Sequence, residues 1–135
     1  MTKKFLLVVL FSIPGAGIAD NLSDLDKFLC SPAQIISCFE GAECSTLLPW
    51  EADIPQFVII DTKKKLISTT KGSNENRSTP IQSVRREDST IYLQGVEGGR
   101  AFSFVIEESS GLLTVSVARD GVTVTIFGAC TDTDV

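Results

Sequence analysis

The stretch from Arg100 to Gly128 constrains this chain most, because its apolar residues alternate with small polar ones at a period of two. That period marks a strand with one buried face. Phe102, Phe104 and Ile106 share a face, then Leu113, Val115 and Val117, then Val122, Val124 and Ile126. Asp120-Gly121 is a type I′ hairpin signal, since both central residues of that turn need positive φ. A two-residue loop there pairs Arg119 with Val122, Val117 with Val124 and Val115 with Ile126. A four-residue loop, Glu108 to Gly111, pairs Phe104 with Val115 and Phe102 with Val117. Both registers gather the apolar residues on one side, and a slip of one residue in either would turn half of them to water.

Upstream, the chain opens on the basic Met1-Thr2-Lys3-Lys4, an apolar run from Phe5 to Ile13, and small residues at Gly17 and Ala19. This is the pattern of a signal peptide over residues 1–19, with cleavage after Ala19. The apolar run is too short to span a bilayer, so no membrane insertion is expected once the leader is removed. The remaining 116 of 135 residues suit one domain: a flexible amino-terminal stretch over 20–27, then a single β-domain over 28–131. Loss of Lys3 and Lys4 from the 12 basic residues leaves 10 against 17 acidic ones, a net charge of −7. Such a balance argues against nucleic acid and anionic membrane surfaces as partners, and it also serves solubility.

Four cysteines in an exported chain suggest two disulfides. Cys38 and Cys44 enclose a turn-like stretch and suit a local bridge, which leaves Cys30 for Cys130. Cys130 falls in phase with Val122, Val124 and Ile126 if the last strand runs past Gly128, so its side chain points inward. The intervening lengths lack the close cysteine pairs of zinc sites, and the chain has no histidine. No metal or cofactor is expected.

Residues 28–39 carry two competing signals. Ser31-Pro32-Ala33-Gln34 reads as a capping box with proline at the first helical position, whereas Gln34 to Phe39 is rich in strand formers; the β pattern downstream favours a strand. Leu47 to Pro55 is a connector broken by two prolines. Its Trp50 suits a binding anchor on a loop or, more simply, a lid over an open end of the core. Phe57 to Asp61 is apolar on both faces. Lys71 to Thr79 reads as a mobile polar loop, Ile81 to Arg86 as a polar strand, and Ile91 to Leu93 leads through a glycine-rich turn into Arg100. The fold expected is all-β, an antiparallel up-and-down meander of about seven to nine strands. It curls into a sheet or small barrel, with Cys30–Cys130 tying the first strand to the last.

The segments Pro55-Gln56-Phe57 through Asp61, Leu93 through Ser103 and Phe127-Gly128-Ala129-Cys130-Thr131 resemble a group of short exported bacterial β-proteins. The resemblance covers residues 55–131 and implies neither an activity nor a functional residue.

Without histidine, the usual catalytic triads, Cys-His dyads and zinc hydrolysis are excluded. The carboxylate pairs Glu87-Asp88 and Glu107-Glu108 sit at expected turns, where adjacent side chains diverge into water. A non-enzymatic role in the periplasm or extracellular space is therefore expected, binding or structural, with an unknown protein or a small apolar ligand as partner. The alternatives are a lipocalin-like carrier of a hydrophobic ligand and an inhibitor of a secreted or envelope hydrolase, for which loops 71–79 and 95–100 would make the contacts. Arg100 and Arg119 can each meet an anionic group, although snorkelling to the sheet rim is the simpler reading. Arg85-Arg86 with Glu87-Asp88 reads as surface ion pairs of small energetic weight.

Overall fold

The computed structural model describes residues 21–133, so the expected leader over 1–19 lies outside the described residues. Among the described residues, ten antiparallel strands form one curled half-barrel sheet. They are β1 (Lys27–Phe39), β2 (Ser45–Leu47), β3 (Val58–Asp61), β4 (Leu66–Thr69), β5 (Ser78–Pro80), β6 (Ser83–Glu87), β7 (Thr90–Glu97), β8 (Arg100–Glu107), β9 (Leu112–Arg119) and β10 (Val122–Asp132). A 3₁₀ turn at Pro49–Ala52 interrupts the connection from β2 to β3.

The strand order is β5-β4-β3-β1-β10-β9-β8-β7-β6, with β2 added beside the second half of β1. The two ends of that path, β5 and β6, are consecutive in the chain. Pro80 and Ser83 are three peptide steps apart, at most about 11 Å, whereas eight strand spacings laid flat would separate them by about 38 Å. The sheet must curl to satisfy the chain. Residues 78–87 thus act as one bent segment, paired first with β4 and then with β7. Proline suits the bend, having no N–H to give a ladder.

The meander has the registers its sequence dictates: Val117 pairs with Val124, Val115 with Ile126, Phe104 with Val115 and Phe102 with Val117. The turn type at 120–121 differs from expectation. Only Gly121 has positive φ there, 67°, and Asp120 does not, so the two-residue loop is not type I′. Both central residues are positive instead at Asp88-Ser89 and Gly98-Gly99.

β1 is a strand throughout, which resolves the conflict at residues 28–39. The capping-box residues form a bulge rather than a helix start: Pro32 pairs with Gly128 and Gln34 with Phe127, so Ala33 has no partner in β10. Gly128 makes room for it, because a Cβ there would run into the Ser31 carbonyl oxygen and lie 3.0 Å from Pro32 Cα. The extra residue shifts the inward phase of β1, from Phe28 and Cys30 before the bulge to Ile35 and Ser37 after it.

The core lies toward the base of the sheet, the end that carries the β8–β9 turn. Phe28, Ile60, Ile91, Leu93 and Ile106 are fully buried there. Toward the opposite end the same concave face is only half-buried at Phe102, Phe104, Val117, Val124 and Ile126. The stretch before β1, expected to be loose, is instead tied down. Leu22 is fully buried, its N–H donates to the Glu108 carbonyl oxygen at 2.7 Å, and Asp26 accepts from the Thr62 N–H at 2.8 Å.

Candidate functional site

Both disulfides expected from the sequence are present. Cys30–Cys130 joins residues directly paired in the β1–β10 ladder, and Cys38–Cys44 closes the loop from β1 to β2. With no cysteine left free, thiolate chemistry and cysteine metal ligation are unavailable to this chain. Two such bridges suit an oxidising compartment. Among the described residues, no helix is long and apolar enough to cross a membrane.

The arginines singled out in the sequence converge. Arg100 opens β8 and Arg119 closes β9, and both line a groove of about 540 Å³ between the tips of the β7–β8 and β9–β10 hairpins. Its lining also includes Val96, Ala101, Ala118 and the turn residue Gly121. Val96 is 54% exposed, so apolar surface is open to solvent near the hairpin tip. Among the described residues, neither Arg100 nor Arg119 forms an ion pair or a side-chain hydrogen bond. The turn at 97–100 is tight and both strands of each hairpin are fully paired to the tip, so the groove sits on ordered backbone rather than on a long loop.

A second groove, of about 370 Å³, lies along the connection from β4 to β5 and is lined by Thr69, Lys71, Ser73 and Glu75 among others. Thr69 organises this connection. Its hydroxyl donates to the Glu75 carbonyl at 2.8 Å and accepts from the Arg77 N–H at 3.0 Å, and its own N–H donates to the Arg77 carbonyl. Glu75 Oε2 is shielded from water and lacks a hydrogen-bond donor. Arg77 Nη1 lies 3.5 Å from it in a loose ion pair between side chains 50% and 40% exposed.

Trp50 does not cover the core. It sits on the 3₁₀ turn with 73% of its surface exposed, stands apart from both grooves, and has no place in the buried cluster. The lid reading is therefore corrected: the indole stands in solvent on the 3₁₀ turn.

A third polar cluster escaped the sequence reading. Arg85 pairs with Glu87 at 2.9 Å on the surface, as expected, but Arg86 does not join a surface pair. Its Nη1 lies 3.2 Å from Glu108 Oε1 and 3.0 Å from the Ser23 carbonyl oxygen, and its Nη2 donates to the Leu25 carbonyl. Glu108, expected in solvated company with Glu107, is only 8% exposed. The sequence signals for this clamp were Leu22 and Leu25, two apolar residues in an otherwise polar start.

Comparison with protein families, curated proteins and solved structures finds no match to this chain.

Proposed function

We propose that this chain is an exported domain of the periplasm or extracellular space that works by binding rather than by catalysis, with the β7–β8 and β9–β10 tips as its contact surface. One observation carries this reading: two arginines with no partner among the described residues, drawn from separate hairpins, line a single groove on ordered backbone. Three of the four carboxylates in the pairs Glu87-Asp88 and Glu107-Glu108 have side-chain partners. Glu108 is held by Arg86, Glu87 by Arg85, and Glu107 accepts from the Ser109 hydroxyl at 3.0 Å.

A rigid, disulfide-stapled sheet with grooves at both loops suits an inhibitor of a secreted or envelope hydrolase. The carrier reading draws on the half-buried concave residues, where Phe102 and Phe104 meet edge to face with ring centroids 5.7 Å apart. The base of the curl is filled by side chains, so a carried ligand would lie on the upper face only.

The test uses immobilised, oxidised protein and fractionated envelope and culture-supernatant extracts. A component retained by the wild type and lost with Ala118→Asp, an exposed position in the groove, supports the reading. No retention, or retention indifferent to Ala118→Asp, overturns it.

A further inference from the structure

The chain has five arginines, and three of them are ion-paired: Arg77 at 3.5 Å, Arg85 at 2.9 Å and Arg86 at 3.2 Å. The two with no ion pair among the described residues, Arg100 and Arg119, line the same groove. The β8–β9 ladder runs out to Ala101 opposite Ala118, and one further step in the same register sets Arg100 opposite Arg119. Residues in that relation hold their Cβ atoms about 5 Å apart, where like charges repel. Carboxylates are close along the chain, since Glu97 is the β7 partner of Arg100 and Asp120 follows Arg119, yet neither comes within ion-pairing distance. An arrangement that breaks a local rule with nothing nearby to offset it marks a functional position.

We propose that Arg100 and Arg119 form an oxyanion site for a phosphomonoester group. Two opposed guanidinium groups offer a planar array of donors, which suits an anion with several oxygens and a charge near −2. The half-buried pair Phe102 and Val117, next along the same face of the sheet, receives the carbon portion that carries the phosphate. The net charge of the chain, −5, repels long polyanions and confines the ligand to a compact group. This rests on the groove being the contact surface, and it adds the chemical class of what the groove takes.

The oxidised full chain is titrated with phenyl phosphate at constant ionic strength, and separately with vesicles containing phosphatidic acid. Binding is read from the amide NMR signals of residues 98–101 and 119–121. Saturable shifts confined to those residues are expected, with affinity falling about ten-fold in Arg100→Gln and in Arg119→Gln. Response to the soluble ester alone identifies a free small molecule, and response to the vesicles as well identifies a lipid headgroup. Phosphate also stabilises proteins by exclusion from their surfaces, so thermal unfolding is compared with and without phenyl phosphate in all three proteins. The ligand-dependent rise must exceed that of both variants. Both variants are expected to melt no lower than wild type in ligand-free, low-salt buffer, since each removes a repulsion. Shifts that do not saturate, or that persist unchanged in the variants, overturn the site. Retention of a component that depends on Ala118 but not on either arginine overturns the oxyanion site while leaving the contact surface standing. Retention indifferent to Ala118 removes the contact surface itself.

Discussion

Arg86 on β6 and Glu108 at the end of β8 meet at the base of the sheet with Nη1 and Oε1 3.2 Å apart, their side chains 29% and 11% exposed. The same guanidinium holds the carbonyls of Ser23 and Leu25, so one side chain locks the amino-terminal strap over the core. Removing one partner leaves the other charge largely desolvated. Arg86→Ala and Glu108→Ala are each expected to destabilise the protein by about 2–3 kcal/mol. The urea midpoint measures this. The double variant is expected to fall short of the sum of the two, since the sites share one interaction.

Leu22 fills the core from within that strap and is fully buried. Leu22→Ala is expected to cost about 2–4 kcal/mol, the range for a buried leucine truncation. A change within about 0.5 kcal/mol, as for a surface residue, would contradict the packing of the strap.

Gly111 and Gly98 both take positive φ, 74° and 57°, but their surroundings differ. A Cβ at Gly111 would strike the Cys130 carbonyl oxygen, which is backbone and cannot swing aside, while nothing lies within 4 Å of one at Gly98. Gly111→Ala is expected to lose about 3 kcal/mol or more, combining φ strain with the clash. Gly98→Asn should lose no more than about 1 kcal/mol, since asparagine tolerates this conformation. Thermal unfolding of the two variants side by side gives the comparison.

The two bridges close loops of very different size, with sequence separations of 100 and 6. In the chain-entropy account these contribute nearly 5 and roughly 2 kcal/mol. The Cys30→Ala/Cys130→Ala pair is therefore expected to lower stability about twice as much as Cys38→Ala/Cys44→Ala. Denaturant unfolding measures both, and non-reducing peptide mapping confirms the remaining bridge in each.

Trp50 is the only tryptophan and is largely exposed. Its fluorescence is expected to be quenched by iodide as readily in the folded as in the unfolded protein. Trp50→Ala should change stability by no more than about 0.5 kcal/mol.

The meander was legible because two independent signals agreed, the period-two pattern and the loop lengths, and a sheet with one buried face tolerates no slip. The same registers placed Arg100 opposite Arg119, two steps beyond Phe102 and Val117, so half of the candidate site could be read from the sequence. Its missing half was the neighbouring hairpin that brings in Val96 and makes a groove of the pair. Residues 31–34 misdirect because a capping box is a local preference, whereas the long ladder between β1 and β10 is a tertiary one and absorbs the proline in a bulge. The Arg86 clamp was hidden for a different reason. A strap without regular structure has no period to detect, and a glutamate at a turn looks solvated until another segment covers it.

The first strand of the domain to leave the ribosome finds its neighbour in the last. Phe28 pairs with Asp132 and Phe39 with Val122, so no amino-terminal portion can complete its hydrogen bonding before synthesis is nearly finished. While β1 waits, Cys30 meets Cys38 and Cys44 long before Cys130 emerges. The order of thiol oxidation then decides whether the newborn chain reaches the native pairing directly or must be rescued by disulfide exchange.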